Sequence, residues 1–331
     1  MRAARFHAYG PPSNLVVEEV ADPTLSGPKD VRIAVKAAAI NPIDWKIRGG
    51  KQRGALRYTL PWIGGLDVSG EVVEVGSGVT RFAVGDAVYG CPDHNRPGAY
   101  AEQVVVDEGF LAKKPPSLTH AEAASIPLVG LTAWQCLLPR IGERPGQHVF
   151  IQAGSGGVGT FAIQLAKHHG CRISTTCSPR NADFVRELGA DEVVDYRTQN
   201  WWEALSDIDV ILDALGGEER ARALEVVNRG GRVASIVSGL PAATEAYGPT
   251  LGVVAVGLGI VRFAVQGRLR GVDTATVIRK TRADQLEQIT ALLESGAIRP
   301  ILDKVYPLDD IAEAHAYGET GRIRGKVVLE P

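Results

Sequence analysis

The sequence predicts an α/β protein in which a β-rich domain, built from both ends of the chain, is interrupted by a doubly wound parallel sheet. Three observations predict it. Up to about residue 125 the segments are short and β-rich (VRIAVKAAAI, GEVVEVG, DAVYG, YAEQVVV), punctuated by Gly, Pro and Asp as in a twisted antiparallel or barrel-like fold. From about Leu128 strands and helices alternate, the mark of a parallel sheet with right-handed crossovers. After about residue 270 the first texture returns and closes on GKVVLEP, a strand that resembles those of the first part. The expected domains are residues 1–127, completed by 268–331, and residues 128–267 between them. A chain of 331 residues, 45% apolar, can fill two such cores.

Within the middle part, QHVFIQA reads as a strand and VGTFAIQLAKHHG as a helix ended by Gly170. CRISTTC is the next strand, and ADFVREL a helix that closes at Gly189, where a left-handed cap is wanted. EVVDY, IDVILDA, a helix over EERARALEVVN, a turn at Gly230-Gly231 and RVASIV continue the pattern, giving five strands. The apolar stretch Leu251 to Val265 contains Arg262 and three glycines and is shorter than the roughly 20 residues of a spanning helix. It is expected to be buried or interfacial. One amphipathic helix, ADQLEQITALLESG, precedes the closing strand.

Composition excludes several classes. With 36 basic and 38 acidic residues interspersed and a net charge of −2, there is no electrostatic footprint for nucleic acid or an anionic membrane, so a small molecule is the expected partner. MRAARFHAYG lacks the apolar core of a secretory signal, and a cytoplasmic protein is expected. Cys91, Cys136, Cys171 and Cys177 form no C-x-x-C pair, which argues against a structural zinc site and a disulfide framework.

The strongest local motif is Gly154-Ser155-Gly156-Gly157-Val158-Gly159, a full G-x-G-x-x-G between a predicted strand and a predicted helix. Its glycines suit a tight turn, close approach of a pyrophosphate, and close packing of helix on strand, while the helix N-terminus offers free N–H groups to phosphates. At the end of the second strand, where a carboxylate would bond the ribose of NAD, stands Ser178-Pro179-Arg180-Asn181. The Ser178 hydroxyl and the Arg180 guanidinium suit a 2′-phosphate, which favours NADPH.

Beyond this turn the chain resembles the quinone oxidoreductases, zeta-crystallin-like members of the medium-chain dehydrogenase/reductase superfamily. The resemblance runs nearly end to end, through NPIDWK, GLDVSGEVVEVGSGVTRFAVGDAVYG, GAYAEQVVV, IPLVGLTAW, LGADEVVDYR, VILDALGG, GGRVASIVSG and GRIRGKVVLEP. It implies a GroES-like catalytic domain, a Rossmann domain, an active-site cleft at their junction and a homodimer or homotetramer. It also implies an enzyme without zinc: no Cys stands in the loop Ala39 to Lys46, Leu66 in Gly65-Leu66-Asp67 replaces a metal-binding His, and the cysteine-rich lobe is missing. Cys91, Asp93 and His94 read as a loop rather than a ligand set.

The same resemblance assigns catalytic positions to Asn41, Asp44, Trp45 and Lys46, with Asn41 near the nicotinamide ribose. Relatives often have Tyr where this chain has Lys46, so the proton donor stays open between Lys46 and water; a structural Trp45 and a solvated Lys46 are the alternative. It places Thr132, Tyr196, Leu215, the backbone of Val237, Ser238 and Gly239, and Lys326 on the cofactor; Thr132 would otherwise cap the following helix. The implied reaction is hydride transfer from NADPH to an electron-poor acceptor, a quinone or an α,β-unsaturated carbonyl. A trans-acting enoyl-thioester reductase, with Arg48, Lys51 and Arg53 at its cleft mouth, and an NADPH-binding redox sensor with little turnover are the alternatives.

Overall fold

The computed structural model describes residues 1–141 and 146–331. Its chain divides into two compact units, Met1–Leu131 with Lys280–Pro331, and Thr132–Arg279. The first unit begins with β1 (Arg2–Phe6), β2 (Leu15–Glu19), β3 (Asp30–Ile40) and α1 (Pro42–Arg48), followed by β4 (Trp62–Ile63), β5 (Val68–Val75), β6 (Ala87–Gly90), β7 (Gln103–Asp107), β8 (Leu111–Lys113) and α2 (His120–Ala124). Helix α3 (Pro127–Ile141) leads into the second unit. There follow β9 (His148–Ile151), α4 (Gly157–His168), β10 (Arg172–Cys177), α5 (Ala182–Glu187), β11 (Glu192–Asp195), α6 (Trp201–Ala204), β12 (Ile208–Asp213), α7 (Gly217–Val226), β13 (Val227–Ser235), α8 (Leu240–Arg270) and β14 (Asp273–Thr276). The chain then returns to the first unit with α9 (Ala283–Glu294), β15 (Leu302–Pro307), α10 (Ile311–Glu319) and β16 (Lys326–Glu330).

In the first unit a sheet ordered β15-β16-β3-β5-β6-β8, with β7 also on β3, lies beside the smaller sheet β2-β1-β4. The closing strand β16 pairs antiparallel with β3, Val328 opposite Ala39. Small side chains make this possible: Ala37 and Ala39 of β3 pack with Ala121 and Ala124 of α2 and with Val328, so the helix sits close on the sheet.

The second unit is one parallel sheet in the order β11-β10-β9-β12-β13-β14. This is the Rossmann order, and the direction of winding reverses between β9 and β12. One face of the sheet is packed by Phe150, Trp201, Ile211, Leu224, Val233 and Phe263, with Phe150 stacked on Trp201 at 4.4 Å.

Two expectations are corrected by the structure, and a third is narrowed. The sheet has a sixth strand, β14, paired with β13 from Arg232–Asp273 to Ser235–Thr276, so the second unit runs to Arg279 and the expected break at 267/268 falls inside α8. Gly230-Gly231 is not a turn before a strand but an excursion within β13, where pairing with β12 jumps from Ile208–Val227 to Val210–Arg232. Of the two alternatives for Leu251 to Val265, buried or interfacial, the first does not hold: the stretch belongs to α8, where Gly252 and Phe263 are buried but Leu251, Leu258 and Val261 are each at least 60% exposed.

Candidate functional site

All the parallel strands of the second unit end at one edge, in matched register: Ile151 lies beside Thr175 and Leu212, Cys177 beside Asp195, and Asp213 beside Ser235. The residues expected at a dinucleotide follow those ends directly. Gly154 to Gly159 follow β9, Ser178 and Arg180 follow β10, Tyr196 follows β11, Leu215 follows β12, and Val237 to Gly239 follow β13. The fingerprint therefore stands at the reversal point of the sheet, where ligands of open α/β sheets bind.

The glycines act by close approach. A Cβ on Gly159 would lie 2.4 Å from the Ala153 carbonyl oxygen and 2.7 Å from the Gly154 Cα, and one on Gly154 would lie 2.1 Å from Thr175 Oγ1. Gly156 differs, since its Cβ would meet only the Ala153 oxygen at 3.4 Å, leaving the outer side open to a ligand. The unusual backbone falls on Ala153, with φ of 54°, and not on the glycine expected to make the turn. At the start of α4, the N–H groups of Gly157, Val158 and Gly159 have no partner among the described residues. Those donors and the helix dipole make an anion site.

Around this centre, Ser178 is buried and Arg180 exposed. Tyr196 is 58% exposed, and the Arg197 guanidinium, which sequence reasoning passed over, lies 6.0 Å from its ring centre. Leu215 is exposed on its loop, and its N–H donates to Asp213 Oδ1. Asp213, also missed, is fully buried; it accepts from the N–H of Gly216 at 2.7 Å and from Ser235 Oγ at 2.5 Å, tying the ends of β12 and β13 together. The Val237 N–H turns back to Ser235 Oγ, and its carbonyl accepts from Arg220. Only Ser238 and Gly239 keep N–H groups without a partner among the described residues. Thr132 is buried inside α3, so it is not a helix cap.

The polar residues of the first unit form a buried cluster, and here several expectations change. Asn41 is fully buried: its amide donates to Asp67 Oδ2 at 2.8 Å and to the Ala39 carbonyl, and its Oδ1 accepts from Lys326 Nζ. Lys326 is 5% exposed and uses all three of its donors on Ile40 O (2.9 Å), Asn41 Oδ1 and Asp67 Oδ2 (3.2 Å). Burial pushes the Asp67 carboxyl up from its ordinary value, against the pull of Lys326, Asn41 and the Leu128 N–H.

Asp44 accepts from the Asn41 N–H at 2.8 Å, which fixes the start of α1, and from the Tyr100 hydroxyl at 2.9 Å; its burial raises its pKa to about 7. It positions the helix. Trp45 lies against Gly318 of α10, where a Cβ would come within 2.9 Å of its ring, so it is a packing residue. Arg48 is buried against His315 and Glu319 and is no part of a basic mouth, and Arg53 lies over the Tyr9 ring at 5.2 Å. Lys46 alone of the four expected catalytic residues keeps a free reactive group. Its ammonium has no partner among the described residues, and burial, then the nearby Lys51 charge, lowers its pKa.

Cys91 is buried, while Asp93 accepts from the backbone and side chain of Asn95 as a loop turn. Among the described residues no group of three or more His, Cys, Asp or Glu comes together.

A β-rich unit with a dinucleotide-type parallel sheet defines a medium-chain oxidoreductase, and comparison with known proteins agrees. Residues 27–116 match the alcohol dehydrogenase GroES-like domain, and residues 188–329 the family described as zinc-binding dehydrogenase. The chain is 34% identical to the mitochondrial NAD(P)H oxidoreductase RTN4IP1 of Danio rerio, over 93% of this chain and 85% of the relative. It is 33% identical to a chloroplast envelope quinone oxidoreductase homolog of Arabidopsis thaliana (100% and 98% covered) and 34% identical to the 2-methylene-furan-3-one reductase of Solanum lycopersicum (100% and 79%). Among solved structures, the quinone oxidoreductase of Coxiella burnetii superposes with a TM-score of 0.87 at 29% identity (100% and 99%), and that of Escherichia coli complexed with NADPH with 0.84 at 27% (100% of both). The chain belongs to the quinone oxidoreductase family of medium-chain dehydrogenases/reductases, with the GroES-like and Rossmann-like domains of that fold, and is an oxidoreductase.

The expected cytoplasmic location is corrected by those relatives whose names carry a compartment, the RTN4IP1 oxidoreductases being mitochondrial and the plant quinone oxidoreductase homologs chloroplastic. Cysteines without disulfides fit any reducing compartment and do not choose among them.

Proposed function

We propose that the chain reduces quinones or α,β-unsaturated carbonyls with NADPH and without zinc. The observation that carries this reading is the set of unpartnered N–H groups at the start of α4, set at the reversal point of the sheet beside a β10 end that bears Ser178 and Arg180 and no carboxylate. The names of the relatives, quinone oxidoreductase and 2-methylene-furan-3-one reductase, support the acceptor class.

Bound there, NADPH would supply the hydride. The amides of Gly157 to Gly159 would hold its pyrophosphate, and Ser178 and Arg180 its 2′-phosphate. On the acceptor, the arriving electron pair moves onto the carbonyl oxygen, and the Lys46 ammonium gives that oxygen its proton. Zinc, which one matched family description implies, does not suit the residues present: Leu66 is a hydrocarbon, and Asp67 is already neutralised by Lys326. An acceptor that is electron-poor from the start needs no Lewis acid.

The test is NADPH oxidation with panels of quinones, enones and simple aldehydes, with and without a chelator. Turnover of quinones or enones, untouched by chelation, is the expected result; chelator-sensitive aldehyde reduction would overturn it. In the same assay Arg180→Ala is expected to raise the Michaelis constant for NADPH roughly tenfold to a hundredfold, the worth of a charge-assisted bond, and to leave NADH unchanged. Equal effects on the two cofactors would remove Arg180 from the 2′-phosphate. Lys46 donates only while protonated, so kcat should fall as pH rises through its lowered pKa. Lys46→Met should cut kcat about a hundredfold and abolish that alkaline limb, with NADPH affinity kept; an unchanged limb would assign the proton to water.

A further inference from the structure

Helix α10 carries His315, which is 1% exposed. Its Nδ1 lies 3.2 Å from Arg48 Nη1, and because a guanidinium can only donate, Nδ1 is the acceptor. Burial, then the Arg48 charge, hold the pKa of the ring down at about 3, so the ring is neutral and its one N–H proton is on Nε2. That buried N–H has no partner among the described residues. Asp44 presents the converse. Its two donors, the Asn41 N–H and the Tyr100 hydroxyl, both end on Oδ2, and Oδ1 receives none among the described residues. Tyr100 keeps the two groups near each other: its hydroxyl is 2.9 Å from Asp44 Oδ2, and its ring stands at 85° to that of His315 with 5.5 Å between centres.

Asp44, Tyr100 and His315 line one cavity of the first unit, walled also by the apolar Ile47, Ile63 and Leu66. About 20 Å³ of it is open to the centre of a water molecule, and by that measure one water needs roughly 10–15 Å³. The occupant must accept from His315 and serve Asp44. A cation would face the N–H, an anion would face the carboxylate, and an apolar group would leave both unpaired. Water meets both demands, and in either protonation state of Asp44. Burial raises that carboxyl to about 7, and with Oδ2 already engaged its proton belongs on Oδ1. A water there accepts from the acid and donates to the carboxylate.

We propose that a single ordered water occupies this cavity, accepting from His315 Nε2–H and bonded to Asp44 Oδ1. It closes a hydrogen-bonded chain that runs from Glu319 on α10 through Arg48 and His315 to the carboxylate that caps α1. The test is high-resolution crystallography of the full chain, joined to solution NMR with isotope-labelled histidine. One density peak within hydrogen-bonding distance of both atoms is expected, and the His315 ring N–H should transfer magnetisation to a slowly exchanging water. His315→Phe removes the donor, and the peak should vanish with it. A dry cavity in the parent, with an N–H signal that shows no water and faces the Tyr100 ring, would overturn the proposal. So would a peak that His315→Phe leaves in place, since the water would then bridge other groups. If that variant does not fold, the density and the N–H signal of the parent decide by themselves.

Discussion

Lys326→Met is expected to destabilise the protein by about 3–5 kcal/mol, the cost of leaving a buried carboxylate without its cation. Asp67 has no exposed surface, and its ion pair with Lys326, at 3.2 Å, is its link to a positive charge. Remaining donors, the Asn41 amide and the Leu128 N–H at 2.7 Å, are neutral. In the variant Asp67 should therefore titrate higher still than burial already sets it. A carboxyl whose folded pKa lies above its unfolded value favours the fold most at low pH, and that contribution is lost as pH rises through the folded pKa. Urea midpoints at pH 5 and pH 8 should thus diverge in Lys326→Met, and adding Asp67→Asn should bring them together. Loss below about 1 kcal/mol at both pH values, with NADPH affinity reduced instead, would return Lys326 to the cofactor and dismantle the cluster as described.

Gly159→Ala should be nearly as damaging, for a steric reason. The new methyl would stand 2.4 Å from a backbone oxygen and 2.7 Å from a backbone carbon, and neither can swing aside as a side chain would. Overpacking of this kind costs about 3 kcal/mol, and the turn that shifts to relieve it carries the phosphate-facing amides with it. Both the melting temperature and NADPH affinity should fall. Gly156→Ala supplies the contrast: its methyl meets the protein only at 3.4 Å, so stability should hold while affinity alone suffers. Measured by thermal melting and nicotinamide fluorescence, matching profiles for the two variants would show that the turn does not divide packing from ligand approach in this way.

These two sites also mark how far the sequence was legible. Strands β9 to β13 and their helices are readable because period, Gly punctuation and β-branched runs agree locally, as at CRISTTC and at Gly189, whose φ is 115°. Strand β14 is not, since DTAT is four residues long and polar, an edge strand defined by its neighbour. In α8 the apolar run was visible but its orientation was not; hydropathy records how apolar a stretch is and says nothing about which face finds a partner. At the site, the glycines were legible because their constraint is local. Asn41, Asp67 and Lys326 were not, because they are 26 and 259 positions apart in their pairs, and residues expected to meet a ligand are satisfied by one another instead. The same holds for Arg48 and Glu319.

The pairing of β16 with β3 has a consequence for how the protein is made. Synthesis proceeds from the N-terminus, and the second unit is a single uninterrupted stretch, so it can complete its sheet while the rest of the chain is still being added. The first unit has no such freedom. Its β3 must hold an unfilled edge, and Asp67 an uncompensated charge, until Lys326 emerges 259 residues later. The cofactor half can thus be finished while the other half still waits for β16, and that interval is when an open β edge most needs protection from its neighbours.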